Sequence, residues 1–334
     1  MQSRNIGNFG PVSSAIGIGA MSFSNFYGST DEAASHAILD EAMALGVTHI
    51  DTSNVYGAGE SERVIGTFLA ARGAEARDHF SIATKAGITR DPETGKRYVD
   101  NTLAHLEAEL DKSLTTLGVE AVDLFYVHRR DADIPIEEVT ESLAMLVKKG
   151  KTKSIGFSEI APSSLRRAAA IHPIAAVQSE YSLSTRFVEM GLMQTCAELG
   201  TALVAFSPVG RGLLTDDPKT EESLKELPFL ASNPRFSGVN LAANLEATGR
   251  LRDFAAEMGE PTAALAIAWL LAQGEQVIPI PGTRSILHFC EHVRGAEMEL
   301  SAPDLAMINA ILPVGWAHGD RYTTDQWIGP ERYC

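Results

Sequence analysis

The sequence predicts a closed (β/α)8 barrel, of the TIM type, with an N-terminal hairpin and long C-terminal loops. Three observations predict it. Short β-type runs alternate with longer helix-type runs from one end of the chain to the other. There are eight such β-type runs, at residues 15–19, 48–52, 80–85, 122–128, 154–158, 175–179, 202–207 and 277–281. Most are continuously apolar rather than alternating, which is the pattern of strands covered on both faces.

Taken in order, residues 4–14 contain Asn8, Gly10 and Pro11 and read as a small hairpin that plugs the barrel floor. After the first strand, Gly17-Ile18-Gly19 lacks the third glycine and the immediate helix of a dinucleotide fingerprint, which argues against an open, doubly wound sheet. Residues 31–45 form an amphipathic helix, with Ser29-Thr30-Asp31 at its start and Gly46 at its end. Residues 101–117 end at Gly118 in the same way. Residues 135–149 end at Gly150, with Lys148 and Lys149 in the last turn where the helix dipole favours cations. Two stretches break the rhythm, residues 211–240 and the tail from Pro313. Both read as long loops, and long loops on a barrel tend to carry function. No repeat, low-complexity tract or domain boundary interrupts the alternation, so residues 1–334 are expected to form one domain.

Composition narrows the function classes. The chain has 334 residues and a formal net charge of −15, with no long basic run. Nucleic acid is therefore not expected as a partner, because phosphate backbones need concentrated Lys and Arg. An anionic cofactor still fits, since a few local cations and a helix N-terminus suffice for it. The three cysteines, Cys196, Cys290 and Cys334, are odd in number and widely spaced. That pattern points to neither a disulfide framework nor a metal site, and a reducing, cytoplasmic setting is the simplest expectation. The polar N-terminus carries no signal pattern. The longest apolar run, residues 263–272, is about half of what a membrane span requires, so no membrane partner is expected. A monomer or a small homo-oligomer is expected.

A barrel of this kind carries its chemistry at the C-terminal ends of its strands. The second run ends in His49-Ile50-Asp51-Thr52, with Tyr56 in the loop that follows. The third ends at Thr84-Lys85, and the fourth at Val127-His128. One rim thus receives an acid, a phenol, an amine and an imidazole. A phenol is a poor acid at neutral pH, and a neighbouring ammonium favours its phenolate. An aspartate keeps that ammonium charged and placed. A histidine can hydrogen-bond a carbonyl oxygen or relay a proton. Together the four can protonate a carbonyl oxygen while hydride is added to its carbon. None of them donates hydride, so a nicotinamide is implied. Each has a plainer reading. Asp51 and Lys85 alone form an ion pair, Tyr56 alone is a surface aromatic, and His128 alone is a rim histidine. The grouping on three successive strand ends favours chemistry.

Over nearly its whole length the sequence resembles the aldo-keto reductase family, in the branch with Gly-x-Ser-Glu on strand five. The matching pieces are HIDTSNVYG at residues 49–57, ATK at 83–85, VDLFYVH at 122–128, GFSE at 156–159, QSEYSL at 178–183, FSP at 206–208 and IPIPGTR at 278–284. The resemblance implies a barrel that binds NADPH extended, without a separate nucleotide domain. It implies Tyr56 as general acid, Lys85 and Asp51 as its activating pair, and His128 as the residue that orients the carbonyl. It further implies cofactor contacts at Ala20, Met21, Asp51, Ser158, Glu159 and Gln178. Phe206 would stack on the nicotinamide, and Ser207, Val209, Gly210 and Arg211 would lie along the pyrophosphate. Gly282, Thr283, Arg284, His288, Glu291 and His292 would hold the adenosine end. Three positions depart from the common pattern. Glu159 stands where many members have Asn, His288 where many have Arg, and His292 where many have Asn. Arg284 is then the main cation for a 2′-phosphate.

The substrate-side candidates are Phe23, Tyr27, Tyr56, His128 and Arg129, with Met21, Phe26, Tyr126, Trp316, Tyr322 and Trp327 as further loop residues. Aromatic loops suit aldehydes, diketones or quinone-like carbonyls. The arginines suit a phosphorylated or carboxylated aldehyde equally well. Two rival functions remain open at this level. One is a nucleotide-sensing regulatory subunit, and the other is a lyase using Lys85 as a Schiff-base amine.

Overall fold

The computed structural model describes residues 1–91 and 93–333; Cys334 lies outside the described residues. Eight parallel strands form the barrel wall in sequence order: β1 (Ile18–Gly19), β2 (His49–Asp51), β3 (Ser81–Ala86), β4 (Leu124–Val127), β5 (Ile155–Ser158), β6 (Ala176–Glu180), β7 (Ala202–Phe206) and β8 (Val277–Pro279). All eight predicted runs contain strands; most are shorter than the run by one to three residues, while β3 and β6 start one residue later and run one residue further. The seam between β8 and β1 closes through Gly17 N–H to the Pro279 carbonyl (2.9 Å) and Gly19 N–H to the Pro281 carbonyl (3.0 Å). Only glycine allows that approach. A Cβ on Gly19 would stand 2.6 Å from the Ile280 carbonyl oxygen, and one on Gly282 2.5 Å from that of Gly19. The Gly17-Ile18-Gly19 run therefore serves barrel closure.

Helices cover the outside. Asp31 caps α1 (Glu32–Leu45) by accepting from Ala34 N–H at 2.7 Å, and Gly46 ends it with φ of 72°. These are the predicted start and stop signals. α2 spans Glu60–Arg72, and α3 (Leu103–Leu117) starts at the Thr102 cap, two residues later than the sequence indicates. The hairpin of Ser3–Asn5 and Val12–Ser14 plugs the floor as expected. Ile6 is fully buried against the strand starts, and the Arg4 guanidinium donates to the carbonyls of Leu271, Gly274 and Val277.

The predicted loop at 211–240 is more ordered than its Pro- and Gly-rich sequence indicates. It holds short helical turns at Glu221–Leu224, Pro228–Ala231 and Pro234–Phe236, and a 21-residue helix begins inside it at Gly238. Leu213, Leu224, Leu230, Phe236 and Leu241 give it a small core of its own, which offsets the entropy of ordering it. A second antiparallel pair, Ile88–Arg90 with Arg97–Val99, follows β3 and was not anticipated. Its turn letters, Asp91 to Gly95, were the available signal. No helix among the described residues is long and apolar enough to cross a membrane.

Candidate active site

A large cavity, about 1330 Å³, opens at the C-terminal ends of the strands. β2, β3 and β4 deliver the four predicted residues to its wall or just behind it. The Lys85 ammonium is fully buried. It is ion-paired with Asp51 Oδ1, donates to the Thr52 carbonyl at 2.7 Å, and lies 3.3 Å from the Tyr56 hydroxyl. Burial alone would lower this ammonium. The charge of Asp51 and the bonds to Asp51 and Tyr56 outweigh it and hold Lys85 above its ordinary value. The other Asp51 oxygen accepts from Gln178 Nε2 at 2.7 Å, so β6 also steadies the pair.

His128 is buried beside Tyr56, its ring edge-on at 5.7 Å. Its Nδ1 lies 3.0 Å from Ser53 Oγ, which is also 3.2 Å from the Lys85 carbonyl. Burial, then the charges of Arg129, Lys85 and Arg97, push the imidazole well below its usual value, so it is neutral at neutral pH.

Of the other predicted residues, Met21, Ser158, Gln178, Phe206, Ser207 and Val209 line the cavity. So do Tyr27 and Arg129, and the group Gly282, Thr283, Arg284, His288, Glu291 and His292 at its far end. Four predicted contacts are not on the wall. Phe23 is packed into the barrel core, Ala20 is buried with its carbonyl on Ser61 Oγ, and Gly210 is buried beneath the loop. Glu159 is turned away and spent. One oxygen accepts from Glu180 N–H, and the other is ion-paired with Arg321 of the tail. Arg211 lines the cavity, but its charge is met by Glu180 at 2.9 Å, and its guanidinium is sandwiched between the Phe229 and Tyr322 rings. Among the looser candidates, Phe26 and Tyr322 line the cavity. Tyr126 is buried in the barrel interior, while Trp316 and Trp327 bond Leu183 and Asp320 off its wall.

Sequence reasoning missed the ion network that ties the tail to the rim. Burial opposes the charge on Glu180, yet Arg211, Arg321 and Arg235 together hold its carboxyl below the ordinary range. Arg321 touches both Glu159 and Glu180. The left-handed backbone at Glu159, Ser207 and Arg211 (φ 60°, 52° and 55°) lies on this same rim, where surrounding contacts hold strained residues in place. The loop after β1 touches two other parts of the cavity wall. Phe26, after β1, packs on Phe229 with ring centres 4.4 Å apart, and Arg284 Nη1 donates to the Ser29 carbonyl at 2.6 Å.

The far end of the cavity suits a nucleotide. The Arg284 guanidinium is exposed and meets no carboxylate among the described residues. Next to it begins the 12-residue helix Ile286–Glu297, whose N-terminus favours a phosphate. His292 is buried, and its Nδ1 has no hydrogen-bond partner among the described residues, which fits the polar edge of a base. No group of side chains that could hold a metal ion occurs among the described residues.

Comparison with known proteins agrees with this geometry. Residues 15–313 match the model of the aldo/keto reductase family. The aldo-keto reductase yakc of Schizosaccharomyces pombe, which carries NADP(+) in its name, is 36% identical over 96% of this chain and 94% of its own length. Probable aldo-keto reductase 1 of Glycine max is also 36% identical, over 96% of this chain and 92% of the relative. Among solved structures, the glycerol dehydrogenase AKR11B4 from Gluconobacter oxydans superposes with a TM-score of 0.80 at 25% identity, covering 93% of this chain and 94% of that one. The holo form of the aldo-keto reductase AKR11C1 from Bacillus halodurans gives 0.77 at 25% identity, over 98% and 99%. A barrel with this rim, matched along nearly its full length, belongs to the aldo/keto reductase family.

Proposed function

We propose that the protein reduces aldehydes or ketones to alcohols with NADPH, with Tyr56 as the general acid. The observation that carries this reading is the buried Lys85 ammonium held 3.3 Å from the Tyr56 hydroxyl by Asp51. NADPH, when bound, supplies the hydride that is added to the carbonyl carbon. The chain's own residues handle the oxygen. Tyr56 gives its proton to the carbonyl oxygen, and the phenolate left behind is stabilised by the ammonium beside it. His128, neutral and buried, places the carbonyl. In the tautomer that carries the ring proton on Nε2, Nδ1 accepts from Ser53 Oγ and Nε2 donates to the carbonyl oxygen.

Ser158 and Gln178 are the side chains to hold the nicotinamide amide, and Phe206 the ring to stack on it. Arg284 and the helix start at Ile286 are the groups to meet the 2′-phosphate, and His292 to meet the adenine edge. A Schiff-base role for Lys85 is disfavoured, because its amine is kept charged and is fully buried.

The test is a panel of simple aldehydes and diketones offered with NADPH or NADH while cofactor absorbance is followed. Consumption of NADPH with a carbonyl supports the reading, and none with any carbonyl overturns it. In the same assay Arg284→Ala is expected to weaken NADPH at least tenfold more than NADH. Equal weakening of both removes the 2′-phosphate role.

A further inference from the structure

Three arginines meet at the substrate end of the cavity without a carboxylate to balance them. Arg90 and Arg97 stand directly opposite each other across the antiparallel pair that follows β3. Arg129 follows His128, and all three line the cavity. Like charges in cross-strand register destabilise a sheet pair, so such a placement is a cost unless something offsets it. No acidic side chain among the described residues does so. None of the three has a carboxylate oxygen within 4.0 Å among the described residues. Their hydrogen bonds go to neutral groups: Arg90 to the Gly95 carbonyl, Arg97 to the Ile328 carbonyl, and Arg129 to the His128 carbonyl, Ser158 Oγ and Tyr322 OH. The nearby acids are engaged elsewhere or open to water. Glu109 bonds Asn54 and Lys112, and Asp325 is exposed.

The cluster also reaches the catalytic group. Half-buried Arg97 loses some of its preference for charge to burial, and then to the neighbouring charge of Arg129. Arg97 and Arg129 in turn both act on the His128 ring.

We propose that this cluster is an anion subsite, and that the substrates are carbonyl compounds bearing a carboxylate or a phosphate monoester a few bonds from the carbonyl. This rests on the carbonyl-reductase reading above. Tyr56 and His128 take the carbonyl oxygen, while Arg97 and Arg129 take the anion, and the planar guanidinium suits either oxyanion in bidentate fashion. Arg90, the most exposed of the three, adds charge without a required contact.

The experiment compares matched pairs with the full-length protein and NADPH: 4-oxobutanoate against butanal, and glyceraldehyde 3-phosphate against glyceraldehyde. A kcat/KM at least ~10-fold higher for the charged member of either pair is expected, and the pair that shows it names the anion. Arg97→Gln, on a surface hairpin, is expected to cut that preference roughly 10-fold, with the change carried by KM. Equal or better turnover of the neutral members overturns the subsite, as does a preference that Arg97→Gln leaves intact. Failure to consume NADPH with all four compounds overturns the reductase reading instead.

Discussion

On the arc of the rim built by β2, β3 and β4, Asp51, Tyr56, Lys85 and His128 meet through side chains from consecutive strands. On the arc built by β5 and β6, Glu159 and Glu180 meet Arg211, Arg235 and Arg321, of which Arg321 lies 162 residues beyond Glu159. Both arcs contain buried charge. In the first, one lysine and one aspartate balance, and a phenol hydrogen-bonded to the ammonium faces the cavity. In the second, two carboxylates are surrounded by three guanidiniums, and the pairs Glu159–Arg321 and Glu180–Arg211 are both nearly sealed from water. The first arrangement leaves a reactive group exposed to a ligand. The second has none, and its output is position: it fastens the tail, with Tyr322, over the cavity next to Arg129. Buried ions thus do two jobs on one rim: in the first arc the ammonium bonds a phenol that faces the cavity, and in the second each guanidinium is met by a carboxylate.

Substitutions separate the two. Lys85→Met is expected to act on both stability and chemistry. It leaves Asp51 buried without its cation, at a cost of about 3–5 kcal/mol in denaturant unfolding. It also removes the ammonium from the phenol, with kcat falling on the order of 10²–10⁴-fold. A fully active, fully stable variant would break the assignment of this arc. Arg321→Met is expected to cost a similar ~3–5 kcal/mol by stranding Glu159, while Glu180 keeps Arg211 and Arg235. Here the surviving folded protein keeps the hydrogen bonds of Tyr56 and Lys85, so stability should fall by more than catalysis does. If kcat fell as far as in Lys85→Met, the division between the arcs would be wrong.

A smaller effect concerns pH. Burial first, then His288, pushes His292 down to about 3, and burial likewise lowers His49 and His128. In the unfolded chain each takes up a proton near pH 6.5. Between that value and the folded one, the unfolded state binds more protons, so stability falls as the pH drops. For His292 the window runs from about 6.5 to about 3. Replacing it with Asn should flatten the decline in unfolding free energy between pH 7 and pH 5 by about 2 kcal/mol. An unchanged slope would show that His292 is not held neutral.

The contrast between the arcs also explains what the sequence made legible. The eight strands were readable because strands covered on both faces leave uninterrupted apolar runs, as in LFYV at Leu124–Val127. Asp51, Tyr56, Lys85 and His128 were readable because strand ends place short motifs on one rim. The partnership of Glu159 with Arg321 was not, since nothing local in GFSE or in the tail says that they meet. The same holds for Phe23, which sits between two other loop candidates in sequence and yet turns into the core. The arginine pair across the 88–99 hairpin was hidden until that hairpin was recognised, because only its register sets Arg90 opposite Arg97.

The central claim is that Tyr56 supplies the proton, and Tyr56→Phe tests it most directly. NADPH oxidation with a good aldehyde substrate is followed for this variant and for the unaltered protein, alongside cofactor binding by fluorescence. The account predicts that kcat falls on the order of 10²–10⁴-fold while NADPH affinity stays within a few-fold. A variant that turns over like the unaltered protein would contradict it.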